Sequence, residues 1–421
     1  MKAVVYTLGC KVNDVESGSL IRGLEELGYE VSREMERADL YVINTCAVTA
    51  EAERKSRQTI GKAFKCNTSA RVIVCGCASQ KNARAFLEKG VIAAVGAQRK
   101  NRVLEIVKAD FSDGFCGEQL QDEGGRYEDM LLPKCLKTRN FVKIQDGCNR
   151  FCSYCVIPYL RGRSRSRKME SVAEEIWQST ALETVVTGID ISAYQDEHGN
   201  DLADLMLAVK DVKTRIRLGS MEVSLITERF LAALKQVKNF APHFHLSLQS
   251  GSDCVLKSMN RHYTRVEYLA KCEMIYRAFP SAAITTDIIV GFPTETESDF
   301  ERSVKIVEEA GFSQIHAFPY SPREGTQAYK KYKELPFSVK KERVEKLLAV
   351  GAKQKRAYIE RFLGKTLTIV PEHCIDGYTE GYSENYIRIY VKGDVGKELV
   401  RVRVKALFKD GALAERINGN E

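Results

Sequence analysis

FVKIQDGCNRFCSYCVIPYLRGRSRSR, residues Phe141–Arg167, begins as an apolar strand and runs directly into three cysteines and a basic tract. Cys148, Cys152 and Cys155 stand at C-x3-C-x2-C spacing. A reactive loop at the carboxyl end of a strand is the arrangement that β/α folds use for chemistry. Further along, ETVVTG, RIRLGS, HFHLSL, AAITTDIIVG and QIHAFPY each read as a strand followed by helical residues. Six successive units predict a full or partial β/α barrel.

Upstream, Ala3–Leu8, Leu40–Asn44 and Arg71–Val74 read as short buried strands separated by helical patterns, so a parallel α/β sheet is expected there. GEQLQDEGGRYEDM then reads as a linker. After a charged helical pattern from about Ser338 to Phe362, TLTIVPE, YIRIYVK and VRVRVKALF alternate apolar and polar residues between DG, KGD and KDG turns. That pattern predicts a small all-β barrel. The expected organisation is an α/β protein of three parts: residues 1–130, an open parallel sheet; 131–362, the barrel; and 363–421, the small β-barrel.

The 421 residues are enough for several buried cores, and 44% hydrophobic with 29% charged residues is ordinary for a soluble chain. No apolar run reaches membrane-spanning length and the N-terminus lacks a signal-peptide pattern, so a cytoplasmic location is expected. Thirteen cysteines in such a compartment favour metal or catalytic roles over disulfides. The net charge of +8 permits a nucleic-acid partner without requiring one.

A closed zinc site takes four ligands, often as two C-x2-C pairs, and here only three cysteines cluster. Three thiolates suit a [4Fe–4S] cube with one iron left open, and an open iron binds S-adenosylmethionine and reduces its sulfonium. A zinc ribbon is the competing reading, and the position at the end of the first barrel strand weighs against it. Tyr154, just before the third cysteine, is placed to cover an adenine ring. A second set appears upstream: Cys10, Cys46 and either Cys75 or Cys77 each follow a predicted parallel strand. Residues just past parallel strand ends converge on one crevice, so a second three-thiolate cluster is expected. Cys66, Cys116, Cys135, Cys254, Cys272 and Cys374 have no such placement and read as structural.

TLGCKVN, NTCAVT, GCASQ, GCNRFCSYCVIPYLRGRSRSR, HLSLQSGSD and TTDIIVGFPTET together resemble the radical S-adenosylmethionine methylthiotransferases, over essentially the whole chain. TLGCKVN and NTCAVT are similar to the branch acting on N6-threonylcarbamoyladenosine in tRNA. TGIDISAY (Thr187–Tyr194) departs from the usual histidine-containing version of its loop. The resemblance selects Cys77 as the third auxiliary ligand, so the metal set is Cys10, Cys46 and Cys77 with Cys148, Cys152 and Cys155, the last three being catalytic. It implies two [4Fe–4S] clusters and S-adenosyl-L-methionine, the latter held by Tyr154, Gly188, Ser220, Glu222, Gln249, Ser250 and Phe292. It further implies that the small β-barrel is a TRAM-like RNA-binding module.

Substrate contact is expected from two basic stretches. Arg161, Arg163, Arg165 and Arg167, followed by Lys168, trail the radical loop. Arg401, Arg403 and Lys405 alternate with valines on one strand near Tyr382, Tyr386 and Tyr390. The expected partners are a tRNA anticodon loop, an electron donor such as flavodoxin or ferredoxin, and a sulfur donor, with no membrane. The expected reaction is methylthiolation at C2 of a modified adenosine beside the anticodon. Competing readings are an isopentenyladenosine substrate, a ribosomal-protein aspartate, or a non-enzymatic electron carrier or RNA-binding module.

Overall fold

The computed structural model describes residues 1–109, the backbone of 115–116, 126–133 and 138–417. Cys135 and most of the expected linker lie outside the described residues.

The N-terminal region is a six-stranded parallel sheet in the order Glu30–Ser32, Lys2–Thr7, Leu40–Thr45, Arg71–Gly76, Ala93–Ala94, Phe115–Cys116. Every residue of Leu40–Thr45 is buried, as expected of a parallel strand covered on both faces. Helix Lys11–Glu26 covers one face, where Leu20 and Leu24 pack with Val5, Val42 and Ile73. Helix Ala50–Cys66 covers the other through Ile60 and Ala63 against Val4, Ile43 and Val74, and Thr49 caps its N-terminus. The chain leaves Lys2–Thr7 in one direction and Leu40–Thr45 in the other. The crevice at such a reversal lies beyond the carboxyl ends of those two strands.

The central region is an arc of parallel strands: Arg139–Asp146, Glu183–Gly188, Arg215–Leu218 continuing as Ser220–Met221, His243–Leu246, Ala283–Val290 and Gln314–Pro319. The third strand breaks at Gly219, so its two pieces pair with different neighbours and divide the arc into two sheets. Alternation decides the faces. Val142, Ile144, Val186, Ile216, Phe244, Ile284 and Ile288 form the apolar core with the surrounding helices. The intervening residues are polar: Glu183 pairs with Arg215 and Arg217, and both His243 and His245 reach the Thr285 hydroxyl at 2.9 Å. A partial β/α barrel with a polar inner face is therefore present.

The C-terminal strands Thr366–Ile375, Tyr378–Ser383, Arg388–Lys392, Val400–Phe408 and Gly411–Arg416 form a closed barrel. The end of helix Phe337–Glu360 and the turn beyond it enter its core through Tyr358, Ile359 and Phe362. Arg215 and Arg217 donate to the carbonyls of Thr368, Tyr382 and Ser383, tying this barrel to the strand arc.

Candidate functional site: two groups of three thiols

The first group is built by strand ends. Cys10 caps helix Lys11–Glu26, Cys46 follows Thr45 directly, and Cys77 opens the short helix Cys77–Lys81. Two glycines let the thiols approach. Gly9 has φ +102°, and a Cβ there would stand 2.8 Å from the Cys46 Sγ. Gly76 has the same φ, and a Cβ there would stand 2.5 Å from the Thr45 carbonyl oxygen. Gly76 also sorts the two candidate cysteines. In a continuous strand residues 75 and 77 would share a face. The turn at Gly76 separates them, and Cys75 packs with Ala3, Val5 and Leu20 while Cys77 lies in the opposite core. Burial pushes the Cys75 thiol up to about 12, which suits an inert core residue. Burial also raises Cys46 and Cys77, and each feels Cys10 as a like charge.

The second group lies in the loop after Arg139–Asp146. Gly147, at φ +72°, turns the chain, and the Cys148 amide donates to the Gly162 carbonyl. Burial pushes the Cys148 thiol up to about 11 and the Cys155 thiol up to about 12, with Cys152 adding like-charge repulsion at both. Three thiols held together in this way favour a cation or cationic cluster that takes them as thiolates. Among the described residues no three His, Cys, Asp or Glu side chains close tightly enough on a point to hold a single ion.

Around the second group lies a ring of charges, of which sequence reasoning named only Glu222. Arg261 Nη1 donates to the Cys152 Sγ at 3.4 Å, and Arg150 pairs with Asp190 at 2.6 Å and with Glu222 at 3.3 Å. Glu222 also accepts the Ser224 amide, so its carboxylate is oriented from both sides. Gly188 is half-buried, and a Cβ there would meet the Gln145 carbonyl oxygen at 3.0 Å, so a side chain would crowd this strand end. Gln249 holds φ +67° while its amide donates to the Asp287 carbonyl, a strained backbone of the kind found at sites. Ser220 is exposed at the strand break. Phe292 is fully buried and packs with Tyr154, Tyr320 and Tyr332, so it supports the site from behind. Ser250 is fully buried, its hydroxyl accepting the Ser252 amide, which makes it a loop brace.

The basic tract requires a correction. Arg161 has no exposed surface and is held by Glu16, Asp146 and Asn13. Arg167 is buried against Glu175, and Arg165 pairs with Asp146 at 3.4 Å. The tract is not one solvated face, because it spans a helix end, a turn and a two-residue strand. Only Arg163, lying over the Phe151 ring, and Lys168, paired with Glu197, are exposed within it. The tyrosines are corrected as well. Tyr386 stacks on His243 at 3.9 Å between ring centroids, Tyr382 stacks on Tyr386, and Tyr390 is buried. Arg401, Arg403 and Lys405 do face outward, alternating with buried Val400, Val402 and Val404.

Residues 2–96 match the profile of the "Uncharacterized protein family UPF0004", and residues 142–307 match that of the Radical SAM superfamily. The Threonylcarbamoyladenosine tRNA methylthiotransferase MtaB of Aquifex aeolicus is 37% identical over 87% of this chain and 92% of its own. A tRNA-2-methylthio-N(6)-dimethylallyladenosine synthase of Oceanobacillus iheyensis is 35% identical over 90% of this chain and 77% of its own. In fold alone, the radical S-adenosylmethionine methyltransferase TsrM of Kitasatospora setae superposes with a TM-score of 0.56 at 13% identity, covering 76% of each chain. Two thiol groups on two matched regions, and this identity over nearly the full length, place the conclusion beyond the fold: the chain belongs to the radical S-adenosylmethionine methylthiotransferase family.

Proposed function

We propose that this protein transfers a methylthio group to C2 of N6-threonylcarbamoyladenosine beside the anticodon of tRNA. The observation that carries the reading is the presence, in one chain, of two separate three-thiol groups on a scaffold 37% identical to a threonylcarbamoyladenosine tRNA methylthiotransferase. Cys148, Cys152 and Cys155 would hold one [4Fe–4S] cluster, and Cys10, Cys46 and Cys77 the other. When bound, the first supplies the electron that cleaves S-adenosylmethionine reductively. The chain's own part is to bind and orient. Gly188 leaves room for the methionine amino group, the oriented Glu222 carboxylate accepts from ribose hydroxyls, and Tyr154, backed by Phe292, forms the apolar wall beside the adenine.

A threonylcarbamoyl base carries a carboxylate, and a dimethylallyl base carries none. Lys11, exposed beside Cys10, has no carboxylate partner among the described residues and meets Arg217, Arg139 and Glu183 electrostatically. Arg215, Arg217 and Arg139 pair with Glu183 and Arg139 pairs with Glu372 as well, so with Lys11 four cations face two directly paired carboxylates there. That excess favours the acidic base over the dimethylallyl base, which remains the second reading because synthases of that name are 35% identical. In this reading residues 1–130, 131–362 and 363–421 divide the work. The first carries sulfur, the second cleaves S-adenosylmethionine, and the third grips RNA through Arg401, Arg403 and Lys405 with Arg163 near the loop. An electron donor of the flavodoxin or ferredoxin type, a sulfur donor and a cytoplasmic setting complete it. Among the described residues no helix is long and apolar enough to cross a membrane.

The test is anaerobic assay of the reconstituted protein with dithionite, S-adenosylmethionine and tRNA carrying either base, followed by nucleoside mass spectrometry. Product on the threonylcarbamoyl tRNA supports the reading. Product only on the dimethylallyl tRNA would replace it with the second reading, and absence of 5′-deoxyadenosine would remove both.

A further inference from the structure

Arg161 ends the short helix Ile157–Arg161, six residues after Cys155, and is the largest fully buried side chain among the described residues. Its partners come from both thiol groups' supporting elements. Nη2 donates to Asn13 Oδ1 at 2.7 Å, and Nη1 donates to Glu16 Oε1 at 3.0 Å; both acceptors sit on the helix that starts at Cys10. Nη1 also donates to Asp146 Oδ1 at 3.0 Å, two residues before Cys148. Glu16 in turn holds Lys143 at 2.7 Å and the buried Lys100, which reaches Asn44 beside the strand end carrying Cys46. Asn13 fastens the same corner by donating to the carbonyls of Leu8 and Thr45.

Three buried cations, Arg161, Lys143 and Lys100, face two buried carboxylates, Glu16 and Asp146. Burial would raise the Glu16 carboxyl, but Arg161, Lys100 and Lys143 hold it well below the usual carboxylate range. Removing one partner of a buried ion pair leaves an uncompensated buried charge, so the groups of the hub are held together. One donor is left over: Arg161 Nε is buried and has no protein acceptor. An orphaned buried N–H is costly unless a group outside the protein accepts from it. Leu160, next to Arg161, packs in the same core as Cys77, and Asn13, which Arg161 holds, is fastened beside Cys10 and Cys46, so the guanidinium stands at the corner where these three thiols meet.

We propose that Arg161 is a positioning residue that locks the Cys10/Cys46/Cys77 group against the Cys148–Cys155 loop and offers its Nε–H to sulfur of the cluster held by Cys77. This rests on the two-cluster reading above. Charge-assisted donors to cluster sulfur stabilise the reduced, more negative state, so removing one lowers the reduction potential. The fork geometry is required as well as the charge, because a lysine cannot serve Glu16, Asp146, Asn13 and a sulfur acceptor together.

The experiment uses the full-length chain, anaerobically reconstituted, in a Cys152→Ala background, so that only the N-terminal cluster is read. Its midpoint potential is measured by redox titration followed by electron paramagnetic resonance, with R161K and R161M beside the parent. We expect R161M to shift the reduction equilibrium at least tenfold toward the oxidised cluster, 59 mV for one electron, with R161K recovering part of the shift. Iron bound at this site should stay within a fifth of the parent. An unchanged potential in R161K and R161M overturns the proposal and leaves Arg161 as an ion-pair strut. If R161M is insoluble, R161K alone decides, since it keeps the charge of the hub. The two-cluster reading fails independently, if the parent itself takes up no iron.

Discussion

The two thiol groups reach the same composition by opposite routes. Cys148, Cys152 and Cys155 occupy eight consecutive residues of one loop, shaped by Gly147 and sealed by the Gly162 carbonyl. Cys10, Cys46 and Cys77 are separated by two whole strand–helix units and meet only because parallel strands end together. A loop supplies its geometry locally and tolerates rearrangement of the sheet behind it. A site made of strand ends has no geometry until the sheet exists. The difference teaches that the first group is encoded by spacing and the second by topology.

The largest expected effect is a clean division of activities. Cys148→Ala, Cys152→Ala or Cys155→Ala should abolish 5′-deoxyadenosine formation while iron at the other site persists. Cys10→Ala, Cys46→Ala or Cys77→Ala should keep S-adenosylmethionine cleavage and abolish the methylthio product. Chromatographic assay of both products with iron determination checks this, and loss of all iron in any single variant would collapse the two sites into one.

Next in size are the glycines. Gly76→Ala forces a left-handed backbone and a Cβ 2.5 Å from the Thr45 oxygen, at a cost of about 2 kcal/mol or more. It should lower the melting temperature and empty the N-terminal site selectively. Gly147→Ala drives its Cβ into the Arg163 carbonyl and should empty the loop site instead. If both variants lose the same cluster, the two routes are not independent.

A smaller effect is expected where neither thiol group is touched. The triple change of Arg401, Arg403 and Lys405 to alanine removes about three phosphate contacts, each worth ~0.7 in the slope of log affinity against log salt, so the slope should fall by roughly 2. Filter binding of tRNA across a salt series measures it, with cleavage of S-adenosylmethionine unaltered. The smallest effect is Cys75→Ala. Removing a buried thiol from the core beside Val5 and Leu20 should cost on the order of 1 kcal/mol in thermal unfolding and leave methylthiolation intact.

Much of this was readable beforehand because it lies in local pattern. Strand ends, helix starts and the alternation VRVRVK need only the neighbouring residues, and the strands observed match their expected positions to within a few residues. The choice of Cys77 over Cys75 came from family resemblance, while the turn at Gly76 that puts the two on opposite sides of the sheet is visible only in the fold. Arg161 and Arg167 were misread because a run of arginines looks solvated from sequence. Their partners Glu16 and Glu175 stand at distances along the chain that no period reveals. Tyr382 and Tyr386 failed for the same reason: an aromatic beside a basic strand faces RNA or a neighbouring domain with identical local sequence, and here His243 takes the stack.

The hub around Arg161 also sets an order of events during synthesis. Asn13 and Arg161 are 148 residues apart, so the sheet carrying Cys10, Cys46 and Cys77 emerges from the ribosome well before its arginine does. Cys77 completes the thiol set 84 residues before Arg161, roughly 4 to 17 s at ~5–20 residues per second. Until then Glu16 has Lys100 but neither Lys143 nor Arg161, so its buried carboxylate lacks two of its three cations. The nascent N-terminal sheet therefore stays loose at the corner where its thiols meet. That interval gives iron–sulfur delivery a chance to reach these cysteines before the barrel closes over them.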